Sequence, residues 1–415
     1  MRIATPRQRT RLGAVCLLWL LSAVGAPAAA QVLTFEQLAV LAATTHPSIV
    51  AKRSSQQAAK ADVESASWQR YPTPSLEAAT VQNQRPSTAL KVQQPLWAGG
   101  RITAGIDAAE AREKAAGSGV GEARQDILRK IIAAFSEAQR QQLRQEFSVK
   151  AVKEHEKLLS LIARRVESQV SPQVDQNFAQ SRLIQTMNEL SMVTQSLSNA
   201  MNQLSQLAGQ SVSRVTPVST TIPNLPASKV AALELALQHS PELARMGFEE
   251  EAAGADIASK RAAYMPQISA RYERVFGAAS SDRVMLVLES QPGAGLSAAS
   301  GVDAAIAKRE AIRHGRETLV RDLTERLTTD WNELVASRLR LENAVQGRSM
   351  STEVFDSYAR QFTTGKKSWI DVLNAVREST QSEMAVADAE GQLIASALRL
   401  KLLTATLDLP LPLRD

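Results

Sequence analysis

The sequence predicts a mainly helical chain with a small β part, built as two tandem copies of one elongated unit. Three observations carry this. An internal repeat spans the chain, two long stretches lack proline and show helical periodicity, and short β-like segments sit at matching places in both copies. Composition agrees: 44% of the 415 residues are hydrophobic but only 4% are aromatic. Such a chain suits long packed helices better than a large globular core.

The first 30 residues are set apart. Arg2, Arg7, Arg9 and Arg11 accompany an apolar run from Leu12 to Val24, and Ala28-Ala29-Ala30 ends it. That is the pattern of a secretory signal peptide cleaved near Ala30–Gln31. The run falls short of the roughly 20 apolar residues a membrane span needs. The formal charge of +6 falls to about +2 without those four arginines, so the basic balance does not argue for nucleic-acid binding. Cys16, the only cysteine, lies in the apolar run, so the mature chain is expected to hold no disulfide and no cysteine site. No later stretch reads as a transmembrane helix, and a membrane-inserted part would have to be a closed β-barrel.

Residues 47–75 recur at 241–269, an offset of 194. Pro47 matches Pro241, Ala58-Ala59 matches Ala252-Ala253, Ala61-Asp62 matches Ala255-Asp256, Ser65 matches Ser259, and Pro72 matches Pro266. Gln94-Pro95 then matches Gln291-Pro292, and Asp107-Ala108-Ala109 matches Asp303-Ala304-Ala305. The expected organisation is a signal peptide (1–30), a first repeat (31–209), a Ser/Thr/Pro-rich ordered linker (210–229), a second repeat (230–409) and a short tail (410–415).

Within each copy the elements follow in one order. A short helix covers about 35–45 (230–238 in copy two). A medium helix follows Pro47 and runs to about Gln69 (Pro241 to Ala263 in copy two). Proline-bounded β segments follow, Ser75–Val81 with Leu90–Gln94, and Gln267–Phe276 with Val284–Glu289. The stretches Gln82–Ala89 and Gly277–Arg283 read as hairpin loops. Proline-free stretches then run over 102–168 and 295–362. Apolar residues recur there at spacings of three and four: Ile127, Ile131, Phe135, Ala138, and Leu319, Leu323, Leu327, Trp331, Leu334, Leu341. This marks long helices with a coiled-coil-like seam. At 1.5 Å per residue, each is a rod of about 100 Å. Final helices are expected over 174–207 and 368–407. Medium and final helix in line roughly equal one rod, which predicts a hairpin of one long helix against two shorter ones.

Such a rod needs neighbours, which predicts an oligomer. Four strands per chain point the same way. Single-chain outer-membrane barrels start at eight strands, whereas three chains supply twelve. Tyr71, Trp97, Tyr264 and Tyr272 flank the strands, as interfacial aromatics would.

Two motifs carry a family resemblance over nearly the whole mature chain. Gln94-Pro-Leu-Trp-Ala-Gly-Gly-Arg101 resembles the strand-to-helix junction of the TolC-like outer-membrane factors, with Pro95, Trp97, Gly99 and Gly100 at its centre. Tyr358-Ala-Arg-Gln-Phe-Thr-Thr-Gly-Lys-Lys-Ser-Trp-Ile-Asp-Val-Leu-Asn374 resembles the periplasmic tip of their final hairpin. The resemblance implies a homotrimer in which twelve strands form an outer-membrane barrel continuous with a periplasmic α-barrel. It implies contact with outer-membrane lipid, with a periplasmic adaptor protein, and with an inner-membrane ABC transporter or proton-driven pump. It implies no cofactor and no enzymatic activity. Asp371 matches an aspartate of the family's entrance ring, and Asn374 stands where a second would be. Lys367 matches the basic member of a closing link and Asp175 its acidic partner. Phe362 takes the aromatic link position without a hydroxyl, and Glu390 stands where an arginine is expected. Gln361–Asp371, Arg283-Val-Met-Leu286 and Gly293-Ala-Gly-Leu-Ser297 are similar to the subgroup serving type I secretion of large adhesins. Drug or metal efflux is the other reading, and a pore-less periplasmic spacer the reading from another class.

The residues allow independent readings of the tip. Gly365 breaks a long helical pattern, so a helix–turn–helix tip is expected there. Arg164, Arg165, Lys366 and Lys367 bring positive charge beside Asp175 and Asp371. A ring of Asp371 on a three-fold axis would attract cations; Asp371 can equally cap the last helix. Enzyme motifs fail. Gly365-Lys366-Lys367-Ser368 lacks the upstream glycine of a phosphate loop, Arg360 being there. Gly295-Leu-Ser-Ala-Ala299 lacks the closing glycine of a nucleophile elbow. His46, His155, His239 and His314 show no metal-ligand spacing. Glu249-Glu250-Glu251 reads as a solvated helix face.

Overall fold

The computed structural model describes residues 31–79, 87–276, 280–290 and 297–409. The expected signal peptide with Cys16, the hairpin-loop residues 82–86 and 277–279, the repeat match Gln291-Pro292, most of the 293–297 motif and the tail 410–415 lie outside them.

The first half runs β1 (Gln31–Leu33), α1 (Phe35–Thr45), α2 (Pro47–Trp68), β2 (Thr73–Ala79), β3 (Ser87–Trp97), α3 (Arg101–Glu167) and α4 (Gln173–Ala208). After β4 (Val212–Val215), the second half runs α5 (Lys229–His239), α6 (Pro241–Arg261), β5 (Gln267–Phe276), β6 (Ser281–Glu289), α7 (Ala298–Thr363) and α8 (Trp369–Leu403). The order from α1 to α4 recurs from α5 to α8, and the rods α3 and α7 have 67 and 66 residues.

Local chemistry sets most helix ends. Thr34 and Gln37 form a reciprocal capping box at α1. His46 caps α2, its Nδ1 accepting from the Ser48 N–H at 3.2 Å, and Pro47 fills the first turn. Ser240 caps α6 ahead of Pro241. The expected end of α8 near 407 falls instead at Leu403, and Ala405 follows in the left-handed region at φ 54°.

α3 is the axis of the chain. It packs on α2 and α4 of its own half and on α6 and α8 of the other. Its central turns hold the main core: Ile131, Ile132 and Phe135 are fully buried with Phe35, Leu38, Ile49, Leu204 and Ile394. Phe35 meets Phe135 edge-on at 5.3 Å between centroids, a favoured aromatic geometry. α7 is covered much less. It packs on α5, α6 and α8, and Val335, Leu339, Met350 and Val354 stand 53%, 60%, 67% and 42% exposed. Their spacings of 4, 11 and 4 residues fall on one helical stripe.

The linker holds a feature the sequence did not announce. β4 pairs parallel with β1, Leu33 opposite Val215. Two glutamines of α3 continue the pairing as though they were backbone. Gln142 Oε1 accepts from the Val215 N–H at 3.0 Å and its Nε2 donates to the Val215 carbonyl at 3.3 Å. Gln139 does the same with Val218, at 3.0 Å both ways. Both side chains are buried. The acid run on α6 is also more engaged than a solvated face: Glu249 pairs with Arg245 at 2.7 Å and Glu250 with Arg316 at 3.9 Å.

Replacing Gln142 by leucine strands two backbone groups of Val215 away from water. Loss of about 1–3 kcal/mol per stranded group is expected in denaturant unfolding. Gln145→Ala, at an exposed position bonded to Thr194, is the control and should stay within about 0.5 kcal/mol.

Candidate functional site

Two features stand out: the far tip of the helices and the two-faced sheet at the other end.

At the tip both helical hairpins turn by the same device. After α7, the Gly365 N–H bonds to the Phe362 carbonyl at 3.1 Å and the Lys366 N–H to the Gln361 carbonyl at 2.9 Å. Gly365 takes φ 75°. After α3, the Gln169 N–H bonds to the Val166 carbonyl at 2.9 Å and the Val170 N–H to the Arg165 carbonyl at 2.8 Å. These are paired Schellman turns, but the left-handed position in the first is Gln169 at φ 58°. A side chain there is strained where glycine is not.

Asp371 sits in the first turn of α8. One carboxylate oxygen accepts from the Ser368 hydroxyl at 2.8 Å and from the Ser368 N–H at 3.1 Å, while the Asp371 N–H donates back to the hydroxyl at 3.2 Å. This closed capping box keeps its pKa below the ordinary aspartate value, the Ser368 hydroxyl contributing most and Lys367 adding attraction. Asp175 occupies the corresponding first turn of α4. Asn374 is exposed, on the wall of the groove between α4 and α8. Lys367 places its Nζ 4.2 Å from the centre of the Tyr358 ring, and no ion pair within the chain joins it to Asp175. Phe362 is buried with Leu158, Val372 and Val376, under the Arg165 guanidinium at 5.0 Å. Glu390 is half-buried higher on α8, and burial raises its pKa against the pull of Arg348.

Two contacts at the tip were not singled out from sequence. Phe178 meets Trp369 edge-on at 5.4 Å, tying α4 to α8. Arg165 over Phe362 ties the end of α3 to the end of α7. Neither follows from spacing, because each joins separate hairpins. Above the tip, α4 and α8 part over α3 and leave a groove of about 900 Å³. His155 lies buried on its floor, with a pKa lowered by burial and by Arg182. Lys150–Glu383 at 2.5 Å and Arg144–Asp388 at 3.1 Å cross from α3 to α8 beside it.

At the other end the sheet runs β2-β3-β5-β6, antiparallel throughout, so β3 and β5 join the two halves. Register sorts the residues by face. Leu76, Leu90, Val92, Tyr272, Val284, Leu286 and Leu288 share one face. Leu76, Val284, Leu286 and Leu288 are about 70–80% exposed, from 69% to 79%. Ser75, Glu77, Lys91, Gln93, Arg271, Glu273 and Arg283 share the opposite face. Pro95 falls at the bulge that ends the β3–β5 ladder, where its missing N–H does no harm. Trp97 is 46% exposed beyond it. Gly99 and Gly100 follow in left-handed conformation, and a Cβ on Gly99 would stand 2.5 Å from that of Met265. The junction motif is therefore a bulge and a tight glycine corner that turns a strand into α3.

Among the described residues no helix is long and apolar enough to cross a membrane. The sequence profile of the outer membrane efflux proteins matches residues 38–210 and 232–406. The chain belongs to that family. It is accordingly a duct of the cell outer membrane that extends into the periplasm, and not an enzyme. No curated protein is similar to it in sequence. Solved structures share its fold at low identity. A membrane protein from Pseudomonas aeruginosa is 18% identical with a TM-score of 0.78, over 89% of this chain and 92% of the other. VceC of Vibrio cholerae is 16% identical with a TM-score of 0.77, over 89% and 95%. The open state of the Neisseria gonorrhoeae MtrE channel is 14% identical with a TM-score of 0.76, over 89% and 88%.

Two outcomes are expected at the tip. Gln169→Gly should stabilise the first hairpin by about 1 kcal/mol, read by thermal unfolding. Because Asp371 has a lowered pKa, its contribution is present above the ordinary aspartate range and is lost as pH falls through its own value. Hydrogen exchange along the first turns of α8 should show that acid-side loss in the native chain and not in Asp371→Asn.

Proposed function

We propose that three copies of this chain form the exit duct of a tripartite export system, and that the system is type I secretion of a large surface protein. The uncovered apolar surface carries the oligomer. The α7 stripe and the exposed Ile184, Met187 and Met192 of α4 have no cover among the described residues. Among the described residues the four-stranded sheet has open edges at β2 and β6. Open edges beside an apolar face are untenable in lipid, where every backbone group needs a partner. Three such sheets supply twelve strands and abolish the edges.

In this reading the two repeats, 31–209 and 230–409, line the bore side by side, the linker 210–229 girdles the middle, and residues 1–30 are the signal peptide. The helical tip meets a periplasmic adaptor, which connects the duct to an inner-membrane ABC transporter. Asp371 and Asn374 border the aperture around the three-fold axis. Lys367 and Asp175 supply a link that can only form between neighbouring hairpins or copies, and Phe362 packs the closed tip through contact with Arg165 instead of a hydroxyl bond. The tip sequence Gln361–Asp371 supports protein export over small-molecule efflux.

Quantitative proteomics of cell surface and medium, with and without the gene, tests the cargo. Loss of one very large secreted protein is expected. An unchanged secreted proteome with heightened sensitivity to drugs or metals would replace type I secretion by efflux. In planar bilayers Asp371→Ala should weaken cation preference; unchanged selectivity would reduce Asp371 to a helix cap.

A further inference from the structure

The polar face of the sheet does not distribute its charges evenly. Each acid in the middle of that face is bound to a cation of its own. Glu77 pairs with Lys91 across β2 and β3. Glu273 pairs with Arg283 across β5 and β6 at 3.0 Å. Arg271 lies beside these pairs on their helix side, on the rung Thr73–Gln93–Arg271–Met285, next to the rung Ser75–Lys91–Glu273–Arg283; after Arg283 and Lys91 it adds a weaker pull on the Glu273 carboxyl. Its Nη2 donates to the neutral Gln93 Oε1 at 2.9 Å, and no carboxylate within the chain forms an ion pair with it among the described residues. Glu289 faces the same side but stands four rungs towards the helices, about 13 Å away along the strand. The middle of this face therefore carries three cations, Lys91, Arg271 and Arg283, against two acids, Glu77 and Glu273, and the one of the three without an ion pair is a guanidinium whose planar fork is only partly used.

We infer that Arg271 forms an anion-binding girdle in the bore of the barrel, one arginine per copy, that takes multivalent oxyanions, phosphate or clustered carboxylate. The inference rests on the oligomeric duct proposed above, which turns the polar face inward because the apolar face must meet lipid. Guanidinium binds such groups in bidentate fashion, and a low-dielectric wall strengthens the attraction. Gln93 fixes the fork across the sheet, so the group is held in place before an anion arrives. The girdle is separated by the whole length of α3 from Asp371, so the duct has rings of opposite sign in series.

The test uses the full mature chain in planar bilayers with tripolyphosphate added on the extracellular side. The native channel is expected to be blocked, and Arg271→Gln should weaken block by at least about tenfold and shift the reversal potential in a KCl gradient towards cations. Arg271→Lys should retain the shift in native direction and lose part of the block. Cys16 is the only cysteine, so Arg271→Cys presents a single thiol in the mature chain. A cationic thiol reagent applied to the assembled channel should restore block, and an anionic one should not. Block and reversal potential unchanged in Arg271→Gln, in channels that still open, would overturn the girdle and leave the duct standing. If the glutamine variant does not open, equal responses to the two thiol reagents would overturn it. A native chain that never conducts would remove both readings.

Discussion

A helix of about 100 Å cannot bury its apolar stripe against a single partner of ordinary length, and α3 solves this by drawing on both halves of the chain. It takes α2 and α4 in line on one side and α6 and α8 on the other. Burial is densest around Phe135, where α1, α4 and α8 converge on one level of the rod. The linker is pinned at that level by Gln139 and Gln142. Everything to either side, the sheet beyond Gly99 and the tip beyond His155, is positioned by this one buried column. The same arrangement leaves α7 underdressed. The two rods have nearly equal length, yet α3 buries many more side chains within the chain than α7 does.

That asymmetry links fold to function. The exposed stripe on α7, the exposed apolar residues of α4 and the open edges of the sheet are three separate deficits. One event, closure of several copies around an axis, removes them all. The sheet shows most clearly what the closed form faces. Leu76, Val284, Leu286 and Leu288 stand 69–79% exposed on one face, where the pair Arg274–Asp282 sits only at the loop end, while the opposite face carries Glu77–Lys91 and Glu273–Arg283 at mid-sheet. A wall with hydrocarbon on one side and water on the other needs that polarity. At the far end a small apolar cluster around Phe362 holds the tips together with polar caps and cation–aromatic contacts.

Much of this was readable in the sequence because helix ends are written locally. Pro47, Pro241, Ser368 and the Gly99-Gly100 pair each act within a few residues, and the expected rods and strands lie close to those observed. What escaped was non-local. β4 is four residues long within a Ser/Thr/Pro-rich stretch, and its partner β1 lies about 180 positions away. No periodicity betrays a pair so short, nor the glutamines that complete it. The tip showed the same division. The two possible roles of Asp371, cap and aperture, were both visible, and the capping box is formed. The contacts of Arg165 with Phe362 and of Phe178 with Trp369 join different hairpins and left no signal in spacing. β6 runs Val284-Met-Leu-Val-Leu288 without polar alternation, so its two faces emerge only from pairing with β5, and the placing of Arg271 beside the ion pairs depends on the β3–β5 register, which no single segment records.

The central claim is that the uncovered surfaces of α7, α4 and the sheet are met by copies of this chain. Native mass spectrometry of the mature protein extracted from the outer membrane in mild detergent measures this directly. The account predicts a particle of three chains that persists when lipid is stripped away. A particle of one chain, stable and folded in the same detergent, would contradict it.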